Sequence, residues 1–139
     1  MEASNSTEVR KNWSETIDSV VRTHPVFIKR NRDLLALLSV NHLEKLLDDY
    51  NIYVTVEHID KTTYSAKIPI FDIFVKAETI TGISDNAVSK IIDFCQSYFD
   101  DLDININLPE RASLFPYVLK VIIALMEDKN IKDMLIIKN

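Results

Sequence analysis

Acidic side chains cluster in one short stretch of the sequence, at Asp100, Asp101 and Asp103. Closely spaced carboxylate oxygens are the ligands that hard cations such as calcium and magnesium prefer. The stretch lacks the glycine and the distal bidentate glutamate of a calcium-binding loop, so we interpret it as a solvated acidic loop. We therefore predict no metal and no cofactor for this chain.

Cys95 is the single cysteine, so it cannot form a disulfide within the chain or build a thiolate zinc site. A nucleophilic thiol would need a low pKa from a nearby cation or a helix N-terminus. Cys95 instead falls late in a predicted helix, among Ile91, Ile92 and Tyr98. We interpret it as an unreactive core thiol in a protein of a reducing compartment.

The remaining candidates for chemistry are histidines and basic residues. The histidines are His24, His42 and His58. They fall on three different predicted elements and lack the close spacing on one helix that marks a zinc protease. Lys29, Arg30 and Arg32 form the only basic group, which could contact a phosphate backbone or an acidic partner. The simpler interpretation of this group is a solvated helix face.

Composition excludes several classes of protein. Gly82 is the only glycine, which leaves no material for the loops that cradle phosphates or dinucleotides. The formal net charge of −5 disfavours binding to nucleic acid. Neither a secretory signal nor a run of apolar residues long enough to span a membrane is present, so we predict a cytoplasmic or nuclear protein.

Periodicity predicts an α+β fold. Helices are predicted over about 7–23 and, with a possible break at 39–41, over the leucine-rich stretch 25–50. Alternating β-branched residues predict strands over 51–59 and 63–70, joined by a turn at 60–62. A short helix over 71–80, an amphipathic helix over 84–99 and an almost wholly apolar helix over 110–127 follow, the last two separated by an alternating stretch at Ile104 and Ile106. We predict a helical N-terminal extension at 1–50 and a mixed domain at 51–139, with a single domain as the alternative.

The run from Tyr53 to Gly82, YVTVEHIDKTTYSAKIPIFDIFVKAETITG, resembles the opening of the BTB/POZ-type fold of the elongin C and S-phase-kinase-associated adaptor family. The helix ISDNAVSKIIDFCQSYFDD is similar to the one by which that family binds a cullin, and SLFPYVLKVIIALMEDKNIKDML is similar to its receptor-binding helix. The alanine-alanine-asparagine signature of that last helix is absent. The resemblance implies a BTB/POZ-like arrangement of a β-hairpin and short helices.

The absence of catalytic motifs favours a non-catalytic interaction protein, and the resemblance implies an adaptor that bridges a cullin-type scaffold and a substrate-receptor box in ubiquitin ligation. The partner is predicted to be another protein, met through a hydrophobic helix or groove, with a homo-oligomer as a further option. The predicted partner-binding residues are Val88, Ile91, Phe94, Cys95, Tyr98, Phe115, Val118, Leu119 and Ile122. Two alternatives stay open: a winged-helix-like nucleic-acid-binding module, and a small helical homo-oligomer with the last helix as its seam.

Overall fold

A computed structural model describes residues 2–139 and divides the chain into two compact units, 1–46 and 47–139. The α+β class predicted from the sequence is confirmed: helices and two small sheets alternate along the chain. The prediction of separate 1–50 and 51–139 regions stays a prediction. Across 2–139 no helix is both long and apolar enough to cross a membrane.

The first unit contains a three-stranded sheet and short helices. In chain order its elements are β1 (Ser4–Asn5), α1 (Ser6–Lys11), α2 (Trp13–Arg22), β2 (Val26–Arg30), β3 (Asp33–Leu37) and α3 (Val40–Leu47), whose last residue already belongs to the second unit. Strand β1 pairs in parallel with β2, and β2 pairs antiparallel with β3. Val9 and Val20 are buried, whereas several large apolar side chains are exposed. The exposed ones include Trp13, Val21, Phe27, Leu34, Leu35, Val40 and Leu46.

The helix predicted over 25–50, with a possible break at 39–41, is wrong in its first half. Strands β2 and β3 form a hairpin there, and Asn31 at its turn has a φ of 54°. Asparagine tolerates this left-handed conformation, which a two-residue hairpin turn requires, and so the chain reverses at this point. Leucine favours helices, which explains why the run Leu34, Leu35, Leu37 and Leu38 pointed to the wrong structure. Strand pairing overrides that preference.

The second unit has a four-stranded sheet in the order β6-β5-β4-β7. Its elements are β4 (Ile52–His58), β5 (Tyr64–Ile68), a 3₁₀ turn (Pro69–Phe71), β6 (Ile73–Ala77), α4 (Ile80–Asp100), α5 (Leu102–Asn105), α6 (Pro109–Ala112), α7 (Phe115–Met126), a second 3₁₀ turn (Ile131–Met134) and β7 (Leu135–Lys138). Strands β4, β5 and β6 form an antiparallel meander, and β7 returns to pair in parallel with β4.

The strands predicted over 51–59 and 63–70 are confirmed as β4 and β5. The turn between them is fixed by Asp60, whose Oδ1 accepts a hydrogen bond of 2.8 Å from the backbone N–H of Thr62. The short helix predicted over 71–80 is wrong, because the middle of that segment, Ile73–Ala77, is strand β6. A left-handed residue, Asp72 with a φ of 52°, starts the new strand.

Helix α4 confirms the amphipathic helix predicted over 84–99 and begins earlier, at Ile80. The Thr79 side chain caps it by accepting a hydrogen bond of 2.9 Å from the N–H of Gly82. The core of this unit lies between one face of the sheet and helices α4 and α7. Its largest fully buried side chains are Tyr98, Ile52, Ile68, Ile83, Ile91, Val118, Val121 and Cys95.

The helix predicted over 110–127 is broken in two. Helix α6 ends at Ala112 and α7 begins at Phe115, with Pro116 in its first turn. Proline is tolerated at that position because the first N–H groups of a helix have no partner within it. The alternating stretch at Ile104 and Ile106 is not a strand: Ile104 lies in α5 and Ile106 ends that helix.

Candidate functional site

The candidate metal-binding residues do not come together. Among residues 2–139 no group of three or more histidine, cysteine, aspartate or glutamate side chains is arranged to hold a metal ion. The Nδ1 of His24 lies 2.7 Å from the carbonyl oxygen of Pro25, and the ring of His58 stacks on Tyr64 with centroids 4.3 Å apart. These two histidines therefore have local structural contacts.

Cys95 lies in the core, with none of its surface exposed. Burial raises the pKa of its thiol to about 12, because the charged thiolate loses its solvation there. The thiol is therefore protonated at neutral pH and inaccessible to a substrate, as we expect for a structural cysteine.

The basic residues Lys29 and Arg30 end strand β2, and Arg32 lies in the following turn. All three are exposed. The prediction that they line a helix face is wrong, because they lie in the β2–β3 hairpin.

The best-defined polar structure of the second unit follows helix α4, where a network centred on Asn105 holds the segment 101–112 in place. Asn105 is only 7% exposed. Its Nδ2 donates a hydrogen bond of 2.8 Å to the carbonyl oxygen of Tyr98, and its Oδ1 accepts one of 2.7 Å from Nε of Arg111. One side chain thus joins the end of α4 to α6.

Arg111 closes this network from the other side. Its guanidinium carbon lies 5.5 Å from the ring centroid of Tyr98 and 5.7 Å from that of Phe94. The hydroxyl of Tyr98 donates a hydrogen bond of 2.6 Å to the carbonyl oxygen of Arg111. Burial raises the pKa of Tyr98, an effect that the nearby Arg111 charge partly opposes. The hydroxyl stays protonated at neutral pH and keeps its role as donor.

The outer side of this segment is both apolar and acidic. Ile104 is 59% exposed, Ile106 41% and Leu108 38%, although each is a large apolar side chain. Four carboxylates are exposed around them, at Asp100, Asp101, Asp103 and Glu110. We call the residues from Asp100 to Glu110 the acidic–apolar loop. Interaction surfaces commonly combine apolar anchors with a polar rim in this way.

The nine residues predicted to bind a partner lie on helices α4 and α7. Five of them are buried: Ile91, Cys95, Tyr98, Val118 and Ile122. The other four are partly buried: Val88, Phe94, Phe115 and Leu119. All of them except Leu119 lie in the core or pack against it. Their contact with a partner stays a prediction.

The sequence predicted only part of the exposed surface of the acidic–apolar loop. The carboxylates stand out as a cluster, whereas Ile104 and Ile106 were noted only as an alternating stretch between two predicted helices. A polar residue between two isoleucines, Asn105, could have indicated a helical turn in which the polar side chain is buried. Its partner Arg111 is brought to it by the fold.

The fold is that of an α+β protein that carries an exposed apolar and acidic surface after helix α4. The family follows from comparison with known sequences. Residues 1–137 match the model of the family described as PHD_like, "Antitoxin of toxin-antitoxin, RelE / RelB, TA system", and the chain belongs to this antitoxin family.

A solved structure supports the same assignment. It is described as the antitoxin part of a proposed toxin/antitoxin system of Syntrophomonas wolfei subsp. wolfei, at 1.80 Å resolution. That protein is 29% identical in sequence to this chain, and the two superpose with a TM-score of 0.84 over 99% of each. No curated protein matches the sequence.

The resemblance to the elongin C and BTB/POZ-type adaptors is therefore wrong, and with it the cullin-bridging function in ubiquitin ligation. Strand, turn, strand and helix in this order are too common to identify a family. The alternatives are also wrong. A winged helix would need a helix over 26–38, where the chain forms strands β2 and β3, and the helical assembly protein does not agree with the family.

Proposed function

We propose that this chain neutralises the toxin of its own toxin–antitoxin system by binding it in a non-catalytic complex. The observation that carries the proposal is the family match over residues 1–137. The toxin is the protein partner.

The acidic–apolar loop is the surface that we assign to the toxin. Ile104, Ile106 and Leu108 provide apolar anchors whose transfer from water favours association. The carboxylates around them favour a basic surface on the toxin, because opposite charges speed encounter and select the partner. We therefore infer that the toxin meets this loop with a basic face that contains an apolar depression.

The network of Asn105 and Arg111 supports this assignment, because it fixes the backbone of the loop before any partner arrives. An ordered surface loses less conformational entropy on binding than a flexible one. The loop is thus suited to rigid docking.

Three further predictions belong to this proposal. We expect the protein to act in the cytoplasm, where a reduced single cysteine is stable. We expect residues 1–50 and 51–139 to behave as separate regions. We also expect a homo-oligomer, since the first unit exposes large apolar side chains such as Trp13 and Leu34.

Growth rescue tests the function. Co-expression with the toxin of the same system should restore growth of cells that the toxin alone arrests, and the two proteins should co-purify. Ile104→Asp should weaken binding at least tenfold, because it places a carboxylate in the centre of the apolar surface. Ile59→Asp is the matched control, since Ile59 is an exposed isoleucine, 50% accessible, in the β4–β5 turn of the same unit.

Two results would contradict the proposal at different levels. Failure of the unmodified chain to rescue growth or to bind the toxin would refute the function. Rescue by the unmodified chain together with equal binding by both isoleucine variants would retain the function and refute the assignment of the acidic–apolar loop.

A further inference from the structure

A surface cavity lies beside strand β6, where helix α4 passes along that edge of the sheet. Its volume is about 390 Å³, and its lining residues are Phe74, Val75, Lys76, Asn86, Ser89 and Lys90. None of these residues is acidic. A second cavity on helix α4 differs in this respect, because Asp85 and Asp93 line it. The cavity at β6 is therefore the one whose charge favours an anionic ligand.

Three lysines surround the ring of Phe74, which is 51% exposed. Lys76 lies on the same strand, with Nζ 5.6 Å from the ring centroid. Lys67 lies directly opposite Phe74 on β5, and Lys90 lines the same cavity from helix α4. All three lysines are exposed, and within residues 2–139 none of them forms an ion pair. Their positive charge is thus not neutralised locally, although the formal net charge of the chain is −5.

The walls of this cavity are joined by one hydrogen bond. Nδ2 of Asn86 in helix α4 donates to the carbonyl oxygen of Lys76 over 3.1 Å, which ties the helix to strand β6. Ser89, three residues further along the helix, adds an exposed hydroxyl to the lining. A cavity whose walls are already joined loses less conformational entropy when a ligand binds.

We propose that this cavity binds a nucleoside diphosphate. The exposed ring of Phe74 stacks on the base, because every nucleobase has a flat π-face. The ammonium groups of Lys76 and Lys90 neutralise the phosphates as point charges, and the hydroxyl of Ser89 donates a hydrogen bond to a phosphate oxygen. The single glycine of the chain provides no backbone cradle for phosphates, and this site needs none because side chains supply the charge.

Isothermal titration calorimetry of the full chain with ADP and with GDP tests the charges of the site. Lys90→Gln should weaken binding about threefold, the effect expected for one exposed charge pair. Lys61→Gln is the matched control, because Lys61 is an exposed lysine in the β4–β5 turn of the same unit. It changes the net charge equally and should leave binding unchanged.

Replacing the aromatic ring tests the stacking of the base. Phe74→Ala should weaken binding of ADP at least about fivefold, the loss expected when a stacked base loses its ring, and leave binding of inorganic pyrophosphate unchanged. Tyr53→Ala is the matched control. Tyr53 is also an exposed ring beneath a lysine, with Nζ of Lys138 4.3 Å from its centroid, but it does not line this cavity. This variant should bind ADP as the unmodified chain does.

Nuclear magnetic resonance locates the ligand, since ADP should shift the backbone amide signals of residues 74–76 and 86–90. The proposal is overturned if neither nucleotide binds, if Lys90→Gln and Lys61→Gln have equal effects, or if pyrophosphate binds as tightly as ADP. Binding of a single-stranded oligonucleotide without binding of either nucleotide would overturn it as well. None of these measurements involves the toxin, so their outcome is independent of the proposed function.

Discussion

Replacing Asn105 by alanine removes the side chain that joins helix α4 to α6. The change breaks the hydrogen bond to the carbonyl oxygen of Tyr98 and the charged one from Nε of Arg111. A neutral hydrogen bond contributes about 1 kcal/mol to stability and one to a charged group about 1.5–3 kcal/mol. Arg111 is only partly buried, so water can replace part of its loss. We expect a loss of about 2–3 kcal/mol.

Asn107→Ala is the matched control for this change. Asn107 lies in the same loop and donates from Nδ2 to the carbonyl oxygen of Asp103 over 2.6 Å, but it is exposed. Water can replace that bond, and surface changes of this kind usually alter stability by less than about 0.5 kcal/mol.

Urea denaturation followed by circular dichroism measures the difference. At a slope of about 1–3 kcal/mol per molar urea, the loss of about 2–3 kcal/mol in Asn105→Ala should lower the midpoint of the second unit's transition by about 0.7–3 M. Asn107→Ala should leave it nearly unchanged. Equal midpoints for the two variants would refute the reasoning that a buried network fixes the loop.

Two more predictions concern helix α4. Burial raises the pKa of Cys95 above its ordinary value of 9.0, so unfolding releases a proton at alkaline pH and the free energy of unfolding should fall from about pH 9 upward. The fall should be smaller in Cys95→Ala. Urea titrations at pH 8 and 10.5 measure it, and an equal fall in the free energy of unfolding for both proteins would contradict this prediction. Gly82→Ala would bring a Cβ to 3.0 Å from Oγ1 of Thr79 and 3.2 Å from Cβ of Ala77, disturbing the helix cap. We expect a loss of about 1 kcal/mol, the usual effect of a lost cap, and a raised melting temperature would argue against it.

Local patterns predicted those parts of the fold that depend on local interactions. Helix α4 shows a clear 3.6-residue period, and β4 and β5 alternate around a turn made by Asp60 and Thr62. The β2–β3 hairpin escaped prediction because its leucines favour a helix, and only the left-handed Asn31 at the turn reveals the reversal. Strand β7 escaped because its partner β4 lies about eighty residues earlier in the chain.

The candidate site, too, could be predicted from the sequence only in part. The cluster of Asp100, Asp101 and Asp103 is visible in the sequence, but its apolar neighbours are exposed only because Asn105 turns inward. Apolar residues on α4 and α7 were predicted to meet a partner, and the structure places all of them except Leu119 in or against the core. Periodicity identifies an apolar helix face. It does not say whether that face meets the same chain or another.

Hydrogen exchange measured by mass spectrometry on the complex with the toxin tests the central claim most directly. Backbone amides of residues 99–110 should exchange more slowly in the complex than in the free protein, whereas the β4–β5 turn around Ile59 should be unaffected. Protection elsewhere in the chain, with the acidic–apolar loop unchanged, would contradict the assigned surface. An unchanged exchange pattern over the whole chain at saturating toxin would contradict the proposal that this protein acts by binding it.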